Sequence, residues 1–201
     1  MNALVALTVF AAILPAELPD KTFVATLVLS TRFRPWPVWL GAAAAFVVQT
    51  VVAVVAGGAV SLLPRQPVEA TSAALFAVGA GAVLMSGKEP KEEEREVEEE
   101  LAEVPRAVSS SRAATISFAV LFIAEWGDLT QLLTAALAAK YHHDIPSVAV
   151  GALAALVGVA GLAVVSGRSL LRVVPVEWIR RVAAAVFATL AVITAIEAAR
   201  A

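Results

Sequence analysis

Long apolar stretches separated by short polar ones run the length of this chain. The apolar positions do not alternate with polar ones, as the strands of a membrane barrel must. Stretches of about 18 or more apolar residues predict membrane-spanning helices instead. Six such spans are read, at residues 3–30, 37–63, 70–86, 113–139, 145–166 and 178–196. The third and sixth are short.

Composition agrees with that pattern. Of 201 residues, 60% are hydrophobic, the mean hydropathy is +0.83, and only 16% are charged. A soluble domain carries about a quarter charged residues. The chain therefore reads as an all-α integral membrane protein. It has no cysteine, which excludes disulfides and thiolate metal sites and leaves oxygen ligands, with imidazole a minor option. The first apolar stretch is too long and lacks the basic start of a cleavable signal peptide. There is no basic patch, and the charged loop is acidic, so nucleic-acid binding is not expected.

Lysines and arginines set the orientation. With the N-terminus outside, the inner segments hold Arg32 and Arg34, then Lys88, Lys91, Arg95, Arg106 and Arg112, then Arg168, Arg172, Arg180 and Arg181. The outer segments hold only Arg65, Lys140 and Arg200. Eleven against three places both termini outside.

The two halves repeat. Glu17-Leu18-Pro19-Asp20-Lys21-Thr22 and Glu125-Trp126-Gly127-Asp128-Leu129-Thr130 both fit E-x-x-D-x-T, 108 residues apart at every shared position. Thr26 and Thr134 extend the match, and Val68-Glu69 recurs as Val176-Glu177 at the same offset. Leu40-Gly41 resembles Val150-Gly151. Three spans per half is an odd number, so the second half must sit upside down. The predicted fold is six helices in two inverted three-helix repeats, residues 1–87 and 113–201. An acidic cytoplasmic linker at 88–112, solvated and mobile, joins them. Inverted repeats with a midplane site are a transporter architecture.

An ionised carboxylate in hydrocarbon costs roughly 2.5–3.5 kcal/mol on insertion scales, so four of them need a reason. Residues three apart share a helix face, which sets Glu17 beside Asp20 and Glu125 beside Asp128. Pro15, Pro19 and Gly127 disturb the helices there and free carbonyl oxygens. Pseudo-two-fold symmetry would bring the four carboxylates together as one oxygen site for a hard or borderline divalent cation. Carboxylates packed this closely in a low dielectric cannot all stay ionised, so an empty site takes up protons and an arriving cation expels them. Thr22, Thr130, Gln131 and Gln49 offer secondary ligands, with helix–helix hydrogen bonding as the other reading. Trp126 reads as a gate or as packing. Lys21 reads as a counter-ion to Glu17 or as a side chain reaching the inner interface.

These features resemble the E-x-G-D-[KR]-[ST], or Gdt-type, family of small membrane proteins of bacteria, chloroplasts and the Golgi. The likeness covers the whole chain, and the tandem motif is specific where a single one would not be. It implies an exchanger of Mn²⁺ or Ca²⁺ for protons with Glu17, Asp20, Glu125 and Asp128 as the cation and proton site. No resident cofactor is implied. The partners are then Mn²⁺ or Ca²⁺, protons and the lipid bilayer, with a homo-oligomer left open. A bacterial plasma membrane, with export from the cytoplasm, is the expected setting. Two positions depart from the family pattern: Pro19 stands where Gly is usual, and Leu129 where Lys or Arg is usual. With Lys21 alone against four carboxylates, the formal site charge is −3.

Two other classes compete. Exporters of another small solute, such as a basic amino acid, want a roomier cavity and an anion-binding feature. An intramembrane aspartyl protease would use Asp20 and Asp128 as a proton-sharing pair, but leaves Glu17, Glu125 and the threonines without a role.

Overall fold

The computed structural model describes residues 1–18, 20–85, 90–102, 104–105, 107–166 and 176–200. Pro19 of the first motif, and Lys88, Arg106, Arg168 and Arg172 of the inner basic set, lie outside the described residues. Among the described residues every regular element is helical. They are α1 (Ala3–Glu17), α2 (Lys21–Arg32), α3 (Pro35–Val60), α4 (Arg65–Met85), α5 (Pro90–Glu100), α6 (Ser110–Ala124), α7 (Leu129–Lys140), a 3₁₀ turn (His142–Asp144), α8 (Ile145–Ser166) and α9 (Val176–Arg200).

Among the described residues, four helices are long and apolar enough to cross a membrane: α3, α4, α8 with its leading 3₁₀ turn, and α9 from Glu177. The first and fourth expected spans are each broken in two. α1 meets α2 at 69°, and α6 meets α7 at 74°, so the count is six if each bent pair is one span. Both breaks fall on the acidic motifs. The third and sixth spans run longer than their apolar cores suggested. Arg65 and Glu69 pair at 2.9 Å one turn apart and carry the polar start of α4 into the helix.

α3 and α8 form the centre. α3 packs on α6, α7 and α8, while α8 packs on α1, α2 and α3. α4 and α9 pack mainly on each other and touch the rest through α7 and α1. Close approach is set by three glycines. A Cβ on Gly41 would collide with the Ala114 carbonyl and lie 2.9 Å from Ser117 Cβ. One on Gly151 would collide with the Ala6 carbonyl, 3.0 Å from Val9 Cβ. One on Gly57 would collide with the Ala135 carbonyl, 2.7 Å from Ala138 Cβ. Gly81 and Gly158, also within apolar helices, face open space instead. Glycine content alone does not say which side of a helix meets a neighbour.

The described part of the acidic linker is largely helical. It carries α5, which packs against α2, and Leu101 beyond it is buried in the core with Val97 and Val104 against it. Val97 and Leu101 are four apart and share one face, and Arg95 pairs with Glu99 at 3.4 Å on the helix surface.

Candidate cation site

The two motifs turn the chain alike. The Asp20 N–H donates to the Glu17 carbonyl at 3.2 Å, and the Asp128 N–H donates to the Glu125 carbonyl at 3.2 Å. Each aspartate is the N-cap of the helix that follows, in extended conformation with ψ 164°. An N-cap Asp ordinarily caps its helix, at about 1 kcal/mol. Here neither side chain makes the capping hydrogen bond, although the Lys21 backbone N–H lies near the Asp20 carboxylate. Gly127 turns the second motif with φ +74°, a left-handed conformation in which an L side chain is strained.

The bends bring carboxylates from the two halves together. Glu17, Asp20 and Glu125 each place an oxygen within 4.8 Å of the others. Glu17 and Glu125 are 1% and 2% exposed, while Asp20 is half-buried. Among the described residues neither oxygen of Glu17, nor Oε1 of Glu125, has a hydrogen-bond partner. Buried polar atoms are nearly always satisfied, so this group lacks something that a bound cation or protons would supply. Asp128 is half-buried within electrostatic range of Glu17, Asp20 and Glu125 but stands outside the 4.8 Å group.

Around the carboxylates lie most of the expected secondary groups. The Thr130 hydroxyl faces the Glu17 carboxyl across the two halves. Thr22 and Thr26 are buried with unpartnered hydroxyls. Gln49 donates from Nε2 to the Phe122 carbonyl at 2.9 Å, in the last turn of α6. Gln131 Oε1 accepts from the Gly127 N–H at 2.9 Å, and the Thr134 hydroxyl donates to the Thr130 carbonyl at 2.8 Å. Glu125, Gln49, Thr50, Thr130, Gln131 and Thr134 line a cavity of about 10 Å³, room for one water-sized body.

Lys21 and Trp126 stand further out. Lys21 is exposed, though its charge reaches Glu17, Asp20 and Glu125. Trp126 is 59% exposed and packs its ring on Phe122, with centroids 5.0 Å apart, away from the cavity lining. Two residues were missed in the sequence. Thr50 adds an unpartnered buried hydroxyl to the cavity, signalled only by its place beside Gln49 in an apolar helix. Arg180 of α9, read as an orientation residue, lies within electrostatic range of Asp20. Counting it with Lys21 brings the formal charge around the site from −3 to −2.

Buried, converging carboxylates from both halves, ringed by hydroxyls and amides, suit reversible binding of a divalent cation in competition with protons. The comparisons bear on that chemistry directly. A profile described as divalent cation/proton antiporter GDT1 matches residues 5–91 and 113–201. The chain belongs to the GDT1 family. A GDT1-like protein of Synechocystis is 31% identical over 163 residues, 76% of this chain and 78% of that protein. GDT1-like protein 3 of Arabidopsis thaliana is 32% identical over 80% of this chain and 60% of its own length. GDT1-like protein 4 of Oryza sativa is 33% identical over 79% of this chain and 61% of its own length. No solved structure matches. GDT1 members are antiporters and not enzymes, which removes the aspartyl protease reading. The profile skips residues 92–112, so most of the acidic linker, like the first four residues, lies outside the family match.

Proposed function

We propose that this chain exchanges Mn²⁺ or Ca²⁺ for protons at one site built by Glu17, Asp20, Glu125 and Asp128. It would export the metal from the cytoplasm across a bacterial plasma membrane. The observation that carries the reading is the buried group of Glu17, Asp20 and Glu125, one oxygen from each within 4.8 Å of the others. A lone divalent cation at such a group is oxygen-ligated and charge-compensated. When it leaves, repulsion among the carboxylates in a low dielectric favours proton uptake, which couples the two flows. The cavity, about 10 Å³, leaves no room for an amino acid.

Two related three-helix repeats account best for the packing, and the lysine and arginine count favours both termini outside with the second repeat inverted. Gly41 of α3 sits on Ala114 and Ser117 of α6, and Gly151 of α8 sits on Ala6 and Val9 of α1. Both contacts cross between the halves, and Ala6 to Ala114 and Val9 to Ser117 are again offsets of 108. Matched breaks between a 15-residue and a 12-residue helix in each half point the same way.

Proteoliposomes with an imposed pH gradient test the function. Proton-driven uptake of Mn²⁺ or Ca²⁺, absent without the gradient, is expected. If a folded, inserted protein moves neither metal, the cargo is a different cation. Leu129→Arg tests the charge count. It is expected to lower the protons released per Mn²⁺ bound, read by titration in weak buffer. Equal release from both proteins would mean that Arg180 already supplies the second positive charge.

A further inference from the structure

Beyond the carboxylate site, the ends of the two 12-residue helices carry a matched pair of cations. α2 starts at the first motif and ends in Arg32, and α7 starts at the second motif and ends in Lys140. Arg32 and Lys140 are 108 residues apart, the offset of the motifs themselves. Twelve helical residues span about 18 Å, roughly half a bilayer core of about 30 Å, so each helix reaches from the site toward one membrane face.

Each cation ties its helix end to a different part of the protein. Lys140 Nζ lies 2.7 Å from Glu197 Oε2 and donates to Thr194 Oγ1 at 2.9 Å, both on α9. Its side chain is only 11% exposed, Thr194 is fully buried, and the Tyr141 ring centroid lies 5.9 Å from the ammonium. The ammonium is mostly buried, and its carboxylate, 46% exposed, and its buried hydroxyl make a directional, charge-assisted tie. It also spans a thin seam, because α9 packs mainly on α4 and then on α1, and meets α7 through this tie. At the opposite end, Arg32 donates to the Val104 carbonyl of the linker, which holds α2 against the segment after α5. That acceptor is uncharged.

We infer that Lys140, with Glu197 and Thr194, is the outer gate of the exchanger, and that Arg32 on Val104 is its inner counterpart. Both are positioning residues: they touch no cargo, and each fixes the outlying end of a helix whose other end presents a motif aspartate. For the site to open outward, the end of α7 must part from α9, and the Lys140–Glu197 pair must break. For it to open inward, α2 must leave the linker. Both ties are charge-assisted, but the outer one joins two ions and adds a hydroxyl while the inner one joins an ion to an uncharged carbonyl, so the ion-free protein rests with its site reachable from the cytoplasmic side.

This inference rests on the exchanger reading, yet its test does not require transport. The natural chain has no cysteine. One cysteine at Ala53, or at Leu156 should the first variant fail to fold, places a reporter in the cavity lining without touching the carboxylates. Its labelling by a membrane-impermeant thiol reagent is then measured from each side of oriented vesicles. Glu197→Gln and Lys140→Gln are each expected to raise labelling from the outside about tenfold, the population shift that follows loss of a charge-assisted tie. Arg32→Gln is expected to raise labelling from the inside alone. The exchanged pair Lys140→Glu with Glu197→Lys is expected to restore slow outside labelling. Unchanged outside labelling in Glu197→Gln and Lys140→Gln overturns the inference, and so does an equal rise from both sides, which marks general loosening. A protein that carried neither Mn²⁺ nor Ca²⁺ would still give the side-specific result, so the two readings fail separately.

Discussion

Glutamine at position 125 is expected to cut divalent-cation exchange by at least about a hundredfold, and glutamine at position 17 by a similar factor. The two residues lie on different halves, 108 positions apart, yet their carboxylates share one buried group with Asp20. Each amide keeps the size of the side chain and removes one negative charge and one proton-binding group. A hundredfold loss corresponds to about 2.7 kcal/mol, modest for removing a charged ligand from a group with so few. With both residues serving one ion, as proposed, their effects are not independent, and the double variant is expected to be scarcely worse than either single one. Glu69 provides the comparison. It is buried in a spanning helix too, but it pairs with Arg65 at 2.9 Å and stands outside the group. Glu69→Gln should therefore leave exchange near its normal rate. Initial rates in proteoliposomes, normalised to inserted protein, read all four. If Glu17→Gln transports normally while Glu125→Gln does not, the halves do not build a common site.

The core of the proposed site can be picked out from the sequence because charge in an apolar segment is costly. Glu17, Asp20, Glu125 and Asp128 stand out for that reason, and their offset of 108 points to two related halves. What the pattern does not carry is direction. Hydropathy marks residues 3–30 and 113–139 as apolar whether the chain runs straight or turns by about 70°, and the turns depend on backbone angles at a few residues, such as Gly127 at φ +74°. Arg180 was counted among charges at the inner face, since a count says nothing of which neighbour a side chain meets. The contact of the linker helix α5 with α2 escaped for the opposite reason. Its run of glutamates outweighs Val97 and Leu101, although those two sit four apart and suffice to dock it beside α2. Trp126 shows how adjacency misleads: it lies inside the second motif, yet its ring turns to Phe122.

The glycines divide most sharply, and they carry the largest expected effect on stability. Alanine at Gly41, Gly57 or Gly151 places a methyl group against a backbone carbonyl of the facing helix, on Ala114, Ala135 and Ala6 respectively. A flexible side chain could rotate away, but a helix backbone cannot, so the two helices must separate along their whole contact. Overpacking of a well-filled interior costs about 1–3 kcal/mol and sometimes more, and these contacts lie at the upper end. α3 and α8 are the central helices, so a displaced α3 also moves Gln49 and Thr50 away from the cavity they line. Gly81 is the counter-case. It sits within α4, a Cβ there meets nothing within 4 Å, and alanine should gain about 0.5–1 kcal/mol through helix propensity. Thermal unfolding in detergent, followed by the fraction that stays monodisperse, should therefore order the variants with Gly81→Ala at or above the natural chain. Gly41→Ala and Gly151→Ala should fall well below it. Those two should also fall by similar amounts, because Gly41 rests on residues 114 and 117 as Gly151 rests on residues 6 and 9. A Gly41→Ala protein as stable as Gly81→Ala would mean that α3 and α6 do not approach as closely as the packing requires. Unequal losses at Gly41 and Gly151 would count against the two halves being built on one plan.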